Sequence, residues 1–220
     1  MLRKSGVLVV AAVLGLGLTG AGSAEALPAH HSPAAEIFAT SNTAIITDPN
    51  DPRLQDHLRP FEHQVRRLIR TNGAAPGAST LLNGVFWSAD LKQTTYERSR
   101  EFDVNRVSAD GLHHIADLIR KQYHQESVLT FRFLPAGAAG ADAVQVEASG
   151  VTVQQLHDAL VADPAVRDEL DGGSVTVDGR VILVAPLKDL PLTRTFLGEL
   201  GVAWSSATVR YGAEEFVGDA

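Results

Sequence analysis

The sequence contains no cysteine, and this absence excludes two features. No disulfide can stabilise the fold, so buried apolar side chains must do so. Lipid attachment to an exported chain also requires a cysteine at the cleavage site, so the protein is not a lipoprotein. Positive charge is scarce as well, because 19 Lys and Arg stand against 26 Asp and Glu, for a formal net charge of −7. An acidic chain is a poor partner for nucleic acid and for an anionic membrane surface.

One apolar run stands out near the beginning of the chain, at residues 6–18, and small residues follow it. A helix that spans a bilayer needs about 20 apolar residues, so this run is too short to do so comfortably. The pattern predicts a secretory signal peptide at residues 1–26, cleaved after Ala24 or after Ala26. We therefore expect a secreted protein, in the medium or the cell-wall space, without a stable membrane anchor after cleavage. An uncleaved signal that acts as an anchor is the alternative.

The basic residues of the signal, Arg3 and Lys4, are not a twin-arginine pair. Export of an unfolded chain is therefore favoured, and this argues against a complex prosthetic group. Removal of the signal leaves about 195 residues, enough for one large domain or two small ones. It also takes the formal net charge from −7 to −9 when cleavage follows Ala24.

The first part of the mature chain predicts a lead-in followed by six regular elements. Residues 27–35 predict a disordered segment, in which His30 and His31 belong to a flexible tail. The predicted elements are a strand from Glu36 that bends around Ser41 and Asn42, a helix that begins at Asp51 and Pro52 and is interrupted by Pro60, a loop at 74–80, strands at 81–88 and 94–104, a helix at 112–123 and a strand at 127–134.

The second part repeats this order after a Gly- and Ala-rich linker at 135–142. A strand at 143–148 precedes a capping box formed by Thr152 and Gln155. Asp178-Gly179 between two apolar runs predicts a hairpin with a type I′ turn, because both central residues of that turn have positive φ. A helix at 190–200 and a strand at 207–211, with a further short one through Phe216 and Val217, complete the chain.

Strand, helix, two strands, helix and strand is the order of a ferredoxin-like unit. The predicted fold is therefore α+β, with two tandem ferredoxin-like (βαββαβ) units that have antiparallel sheets. The first unit covers residues 36–134 and the second covers residues 143–220. Only the order of elements repeats between them.

Three motifs in the first unit resemble a family of small secreted bacterial proteins known only as a domain of unknown function. The segments 36–41 (EIFATS), 96–99 (YERS) and 123–129 (YHQESVL) are similar to that family's acidic opening that ends in Ser, its Glu-x-Ser strand motif and its Gln-Glu-Ser-Val-Leu ending. The resemblance covers about residues 36–130, and it departs from the family at Ala39, where a Gly is usual. It implies no activity.

Polar residues at the predicted helix–strand junction and on the middle strand form the candidate site. One interpretation is structural, since such side chains often satisfy free carbonyl groups at the end of a helix. The functional interpretation is a small ligand site at one end of the sheet, in which Arg98 binds a carboxylate or phosphate bidentately. The candidate ligand-binding residues are Glu97, Arg98, Ser99, Gln125, Glu126 and Ser127.

Enzymatic alternatives have weaker support. Ser127, His124 and Glu126 are a poor hydrolase triad, because there is no nucleophile elbow and neighbouring strand residues point to opposite faces. His113 and His114 lie on the predicted solvent side of their helix, so no metal site is predicted. The remaining alternative is a secreted haem-dependent peroxidase-like enzyme with a helix histidine as iron ligand. It predicts a deep apolar cavity with an inward histidine.

Trp87 and Trp204 help to separate these hypotheses, since lining such a cavity would favour the haem enzyme and packing in the two cores would disfavour it. The main hypothesis is a secreted, non-catalytic protein without a cofactor that binds an unknown protein or small ligand. Homodimerisation through an exposed sheet is one form of it. The sequence predicts neither catalytic residues nor nucleic acid binding.

Overall fold

The computed structural model of the protein describes residues 33–170 and 172–218. The predicted signal peptide, His30, His31 and most of the predicted lead-in lie outside the described residues. Within the described part, no helix is both long and apolar enough to cross a membrane.

Eight strands and five α-helices make up the described chain. The strands are β1 Ala35–Ala39, β2 Ala75–Ser88, β3 Gln93–Asn105, β4 Ser127–Phe133, β5 Ala143–Ser149, β6 Gly172–Thr176, β7 Arg180–Pro186 and β8 Thr208–Gly218. The helices are α1 Arg59–Thr71, α2 Ala109–Tyr123, α3 Val153–Ala162, α4 Pro164–Leu170 and α5 Leu190–Glu199. Short 3₁₀ turns lie at Pro52–Gln55, Leu187–Asp189 and Trp204–Ser206.

All eight strands belong to one closed antiparallel barrel, in the order β1-β3-β2-β6-β7-β5-β8-β4, which closes where β4 pairs with β1. The prediction of two tandem ferredoxin-like units with antiparallel sheets of their own is therefore wrong. The two predicted units share one sheet because β2 pairs with β6 and β4 pairs with β8, and we call these two strand pairs the seams of the barrel. Each seam joins a strand that precedes the 135–142 connection to one that follows it. Backbone groups that would otherwise be free at the sheet edges are paired there.

The helices cover the outside of the barrel and form two apolar cores with it. Alternate side chains of a strand point to opposite faces, so one set meets the helices and the other fills the barrel. The first core joins α1 and α2 to the strands through Phe61, Val65, Ile69, Ile115, Ile119, Ile37, Phe102 and Val128. The second joins α3, α4 and α5 to the strands through Leu156, Leu160, Val166, Phe196, Val146, Val181 and Leu183.

Several local predictions need correction. Residues 75–80 are the beginning of β2 rather than a loop, with a bulge between Pro76 and Ser79. The predicted hairpin joins β6 and β7, but only Gly179 has positive φ, at 81°, so the turn is not type I′. Asp178 does not adopt the left-handed conformation that type I′ requires. A single long strand, β8, replaces the two short ones predicted at the end.

Two helix starts agree with the sequence. Asp51 caps a short 3₁₀ turn that begins at Pro52, and α1 begins separately with Pro60 in its first turn, so Pro60 divides the segment. The capping box of Thr152 and Gln155 is confirmed at the beginning of α3.

Candidate functional site

A cavity of about 630 Å³ opens at one end of the barrel interior, and four of the six predicted site residues line it. Glu97 and Ser99 point inward from β3, while Gln125 and Ser127 come from the junction of α2 and β4. The junction is sharp because His124 adopts the left-handed conformation, with φ of 54°, and so ends α2. The structure thus brings together two segments that are far apart in the sequence.

Most of the remaining wall is apolar and comes from both halves of the barrel. The apolar lining includes Phe38, Phe86, Trp87, Leu129, Ile182, Val184 and Phe216. Polar groups are contributed by Ser174 on β6, Glu169 in α4 and Glu214 on β8. Neither lysine, arginine nor histidine occurs among the described lining residues. An apolar wall with a few convergent polar groups is typical of a small-molecule site.

Glu97 is the central acidic group of this cavity. Burial raises the pKa of the Glu97 carboxyl group, and a hydrogen bond with the Ser99 side chain opposes part of this increase. Glu214 also has a raised pKa, caused first by burial and then by the negative charges of Asp142 and Asp189. Both carboxyl groups therefore hold a proton to higher pH than free glutamic acid does, which makes the cavity less negative.

Gln125 holds the rim of the cavity in place. Its side chain is buried, and its Oε1 accepts a hydrogen bond of 3.1 Å from the backbone N–H of Thr40. Its Nε2 has no hydrogen-bond partner among the described residues. A buried amide donor without a partner is costly, by about 1–3 kcal/mol, so its presence beside the cavity is consistent with a ligand that accepts a hydrogen bond there.

The other two predicted residues lie elsewhere. Arg98 points away from the barrel interior, where its Nε donates a hydrogen bond of 2.7 Å to the backbone oxygen of Asp56 and its Nη1 donates to the Asn83 side chain. It therefore stabilises the segment before α1 and does not face the cavity. Glu126 is exposed and lines a neighbouring cavity of about 360 Å³, which shares Phe86, Glu97, Gln125 and Ser127 with the larger one.

Sequence reasoning missed every lining residue that follows residue 135. Their strands β6, β7 and β8 reach the cavity only because the barrel closes. The spacing of two residues between Glu214 and Phe216, and between Ile182 and Val184, was an available signal, since it places each pair of side chains on the same face of a strand.

A second group of polar side chains fills another part of the barrel interior, and the sequence analysis did not find it. Oxygen atoms of Glu36, Glu101 and Asp103 lie within 4.8 Å of one another. Burial, and then the negative charge of Glu101, raises the pKa of Glu36 to about 9. Burial also raises the pKa of Glu101 to about 7, against an opposing effect of Arg180.

The arginine side chains in this interior pair mainly with a neighbouring carboxylate. Glu147 binds the guanidinium groups of both Arg180 and Arg210. Arg210 also lies 3.6 Å from an oxygen of Glu36. We call Glu36, Glu101 and Asp103, together with Gln145 beside them, the carboxylate cluster.

The described histidines do not fit the haem alternative. His113, His114 and His124 are exposed on or next to α2, and no described histidine lines the larger cavity. The two tryptophans differ, since Trp87 lines that cavity under the guanidinium of Arg167, 3.8 Å from the ring centre, while Trp204 packs against the second core. His124 lines only the smaller neighbouring cavity. The described residues therefore place no histidine at the larger cavity as an iron ligand, and we do not propose a haem enzyme.

Comparisons with known proteins leave the family open. No family model matches the chain. No curated protein matches it either. One solved structure, of a putative monooxygenase from Lactobacillus acidophilus, is similar over 85% of this chain and 97% of its own, with 13% identity and a TM-score of 0.24. A similarity this weak carries no argument about fold or activity, so the function must be argued from the site.

Proposed function

We propose that this protein is a secreted, non-catalytic module that binds a small and largely apolar molecule in the cavity at the end of the barrel. The observation that carries the proposal is the lining, in which aromatic and aliphatic side chains surround a few polar groups. The volume of about 630 Å³ lies in the range of about 300–1,000 Å³ that is typical of ligand pockets.

The polar groups suit recognition better than catalysis. Ser99, Ser127 and Ser174 offer hydroxyl groups, but the described lining supplies no histidine or lysine that would activate one as a nucleophile. The raised pKa of Glu97 favours its neutral form, which donates as well as accepts a hydrogen bond. A ligand with a hydrogen-bonding group at one end and an apolar body therefore matches the lining.

Secretion is part of the proposal and rests on the signal pattern at residues 1–26. The acidic charge supports the expectation that nucleic acid is not a partner. Homodimerisation stays a prediction. Because the described strands form a closed barrel, a dimer of two separately folded chains would have to use helix or loop surfaces rather than a free sheet edge.

The experiment is a titration of the purified protein with 1-aminoanthracene, a neutral polycyclic amine, followed by probe fluorescence and by quenching of tryptophan emission. We expect saturable binding of one probe per chain. Trp87→Phe should remove most of the quenching, because Trp87 lines the cavity and Trp204 packs in the second core.

A filled cavity gives the decisive comparison. Ser174→Phe places a large side chain in the cavity and should weaken probe binding at least tenfold, while the exposed Ser206→Phe is the matched control and should bind normally. Equal binding by the Ser174→Phe variant would overturn the proposal. Circular dichroism of each variant checks that the fold is retained.

A further inference from the structure

The carboxylate cluster has more negative charge than its surroundings neutralise. Glu36 and Glu101 are almost completely buried, with relative exposures of 1% and 5%, and Asp103 is half-buried beside them. Glu147 adds a fourth carboxylate, and the guanidinium groups facing this interior are those of Arg180 and Arg210. With every group ionised, four negative charges meet two positive ones. Uncompensated charge in a protein interior is costly, so protons or a cation must balance it.

Two buried oxygen atoms at the cluster have no hydrogen-bond partner among the described residues. They are Oε2 of Glu101 and Oε1 of Gln145, whose side chain is 0% exposed. The carboxamide of Gln145 lies directly against the cluster, since its Nε2 is 2.6 Å from Oε2 of Glu36. Rotation of this amide by half a turn exchanges its oxygen and nitrogen, which brings Oε1 to the same place. The oxygen would then face Glu36 at the edge of the cluster.

We propose that the carboxylate cluster binds one divalent cation of the size of Ca²⁺ through oxygen atoms of Glu36, Glu101, Asp103 and Gln145. Carboxylate and amide oxygens are the ligands that hard cations prefer. Two oxygens on opposite sides of Ca²⁺ are about 5 Å apart, and the cluster oxygens lie within 4.8 Å of one another. Mg²⁺ requires shorter bonds and near-ideal octahedral geometry, so it should bind less well.

A divalent ion would balance the net charge of the interior, and it would do so in place of protons. The raised pKa values of Glu36 and Glu101 mean that one or both groups carry a proton near neutral pH in the absence of metal. Binding should therefore release protons and strengthen as the pH rises. Arg210, 3.6 Å from Glu36, opposes binding, but its closest contact is with Glu147.

The test is isothermal titration calorimetry with CaCl₂, MgCl₂ and MnCl₂ on purified protein that has been treated with a chelator. We expect one Ca²⁺ per chain, a higher unfolding temperature with Ca²⁺ than with Mg²⁺ at equal ionic strength, and at least tenfold weaker binding at pH 6 than at pH 8.5. Titrations in buffers of different ionisation enthalpy should show proton release.

Variants locate the site. Asp103→Asn keeps the shape of a half-buried side chain, and Gln145→Leu removes the amide oxygen; each should weaken Ca²⁺ binding at least tenfold. Glu215→Gln, which changes an exposed carboxylate on β8, is the matched control and should bind as the unaltered protein does.

Two results would overturn the proposal. They are no binding heat and no thermal shift up to 10 mM Ca²⁺, and unchanged binding by folded Asp103→Asn. The first is measured on the unaltered protein and decides the question when a variant fails to fold. The ligand cavity is a separate site with other residues, so probe binding there can fail or succeed without affecting this result.

Discussion

Replacement of Glu36 by glutamine should change how the stability of the protein depends on pH. Glu36 is 1% exposed, and one of its oxygens accepts a hydrogen bond from Gln145. A glutamine at this position has nearly the same shape and keeps hydrogen-bonding capacity, but it never carries a charge. The variant therefore removes the titration of Glu36, together with the effect of that carboxyl group on the neighbouring Glu101.

The direction follows from the pKa of Glu36, which rises from 4.5 in the free side chain to about 9 in the folded protein. Between these values the folded state holds a proton that the unfolded state has lost, so the free energy of unfolding decreases as the pH rises. The stabilisation is complete below pH 4.5 and disappears as the pH passes through 9. One proton bound on folding changes the free energy of unfolding by about 1.4 kcal/mol per pH unit. The change between pH 5 and pH 8 is therefore about 4 kcal/mol at most.

Urea unfolding followed by circular dichroism, at pH 5 to 8 in the presence of a chelator, measures this difference. The free energy of unfolding of Glu36→Gln should be close to that of the unaltered protein at pH 5. At pH 8 it should exceed that of the unaltered protein by a few kcal/mol. Asp90→Asn, at an exposed carboxylate between β2 and β3, is the matched control, and its free energy of unfolding should run parallel to that of the unaltered protein throughout. A constant difference between Glu36→Gln and the unaltered protein across this range would refute the reasoning, because it would mean that Glu36 does not bind a proton on folding.

Three further substitutions test the packing around the barrel, each by urea unfolding. Arg98→Met removes hydrogen bonds to the backbone oxygen of Asp56 and to a neighbouring side chain, and should cost about 2 kcal/mol without affecting probe binding; a loss of probe binding instead would place Arg98 in the site. Thr152→Ala breaks the capping box of α3 and should cost about 1 kcal/mol, so an unchanged stability would contradict its role. Leu156→Ala leaves a hole in the second core and should cost about 2–5 kcal/mol, and a cost below 1 kcal/mol would show that the core closes around it.

Local chemistry explains which elements the sequence predicts well. Pro52 and Pro60 restrict the backbone wherever they occur, and Thr152 with Gln155 satisfies the free N–H groups of a helix start through its own neighbours. Such signals need no tertiary partner. The turn at Asp178-Gly179 shows the limit, because the residue pair predicts a hairpin but the strand register decides which turn closes it.

Barrel closure depended on information that a single sequence does not display. The faces of β2 and β4 follow from alternation, but their edges are backbone groups that look the same in every sequence. The same limit applies to the site. The sequence predicted the lining residues of the first half, Glu97, Ser99, Gln125 and Ser127, but not Glu214 and Phe216 of the second half. Acidic residues on inward faces, such as Glu36 and Glu101, look like solvent-facing residues until the sheet is known to close.

The two seams of the barrel have a consequence for how the chain reaches this state. When residues up to 134 have been synthesised, β2 and β4 have no neighbour on one side, because their partners β6 and β8 have not yet been made. The first half therefore has two unpaired strand edges, and these can pair with the second half of any copy of the chain. Exchange of halves between two molecules during folding would build the same pairings twice, so crowded refolding should yield intertwined dimers that separate only on unfolding.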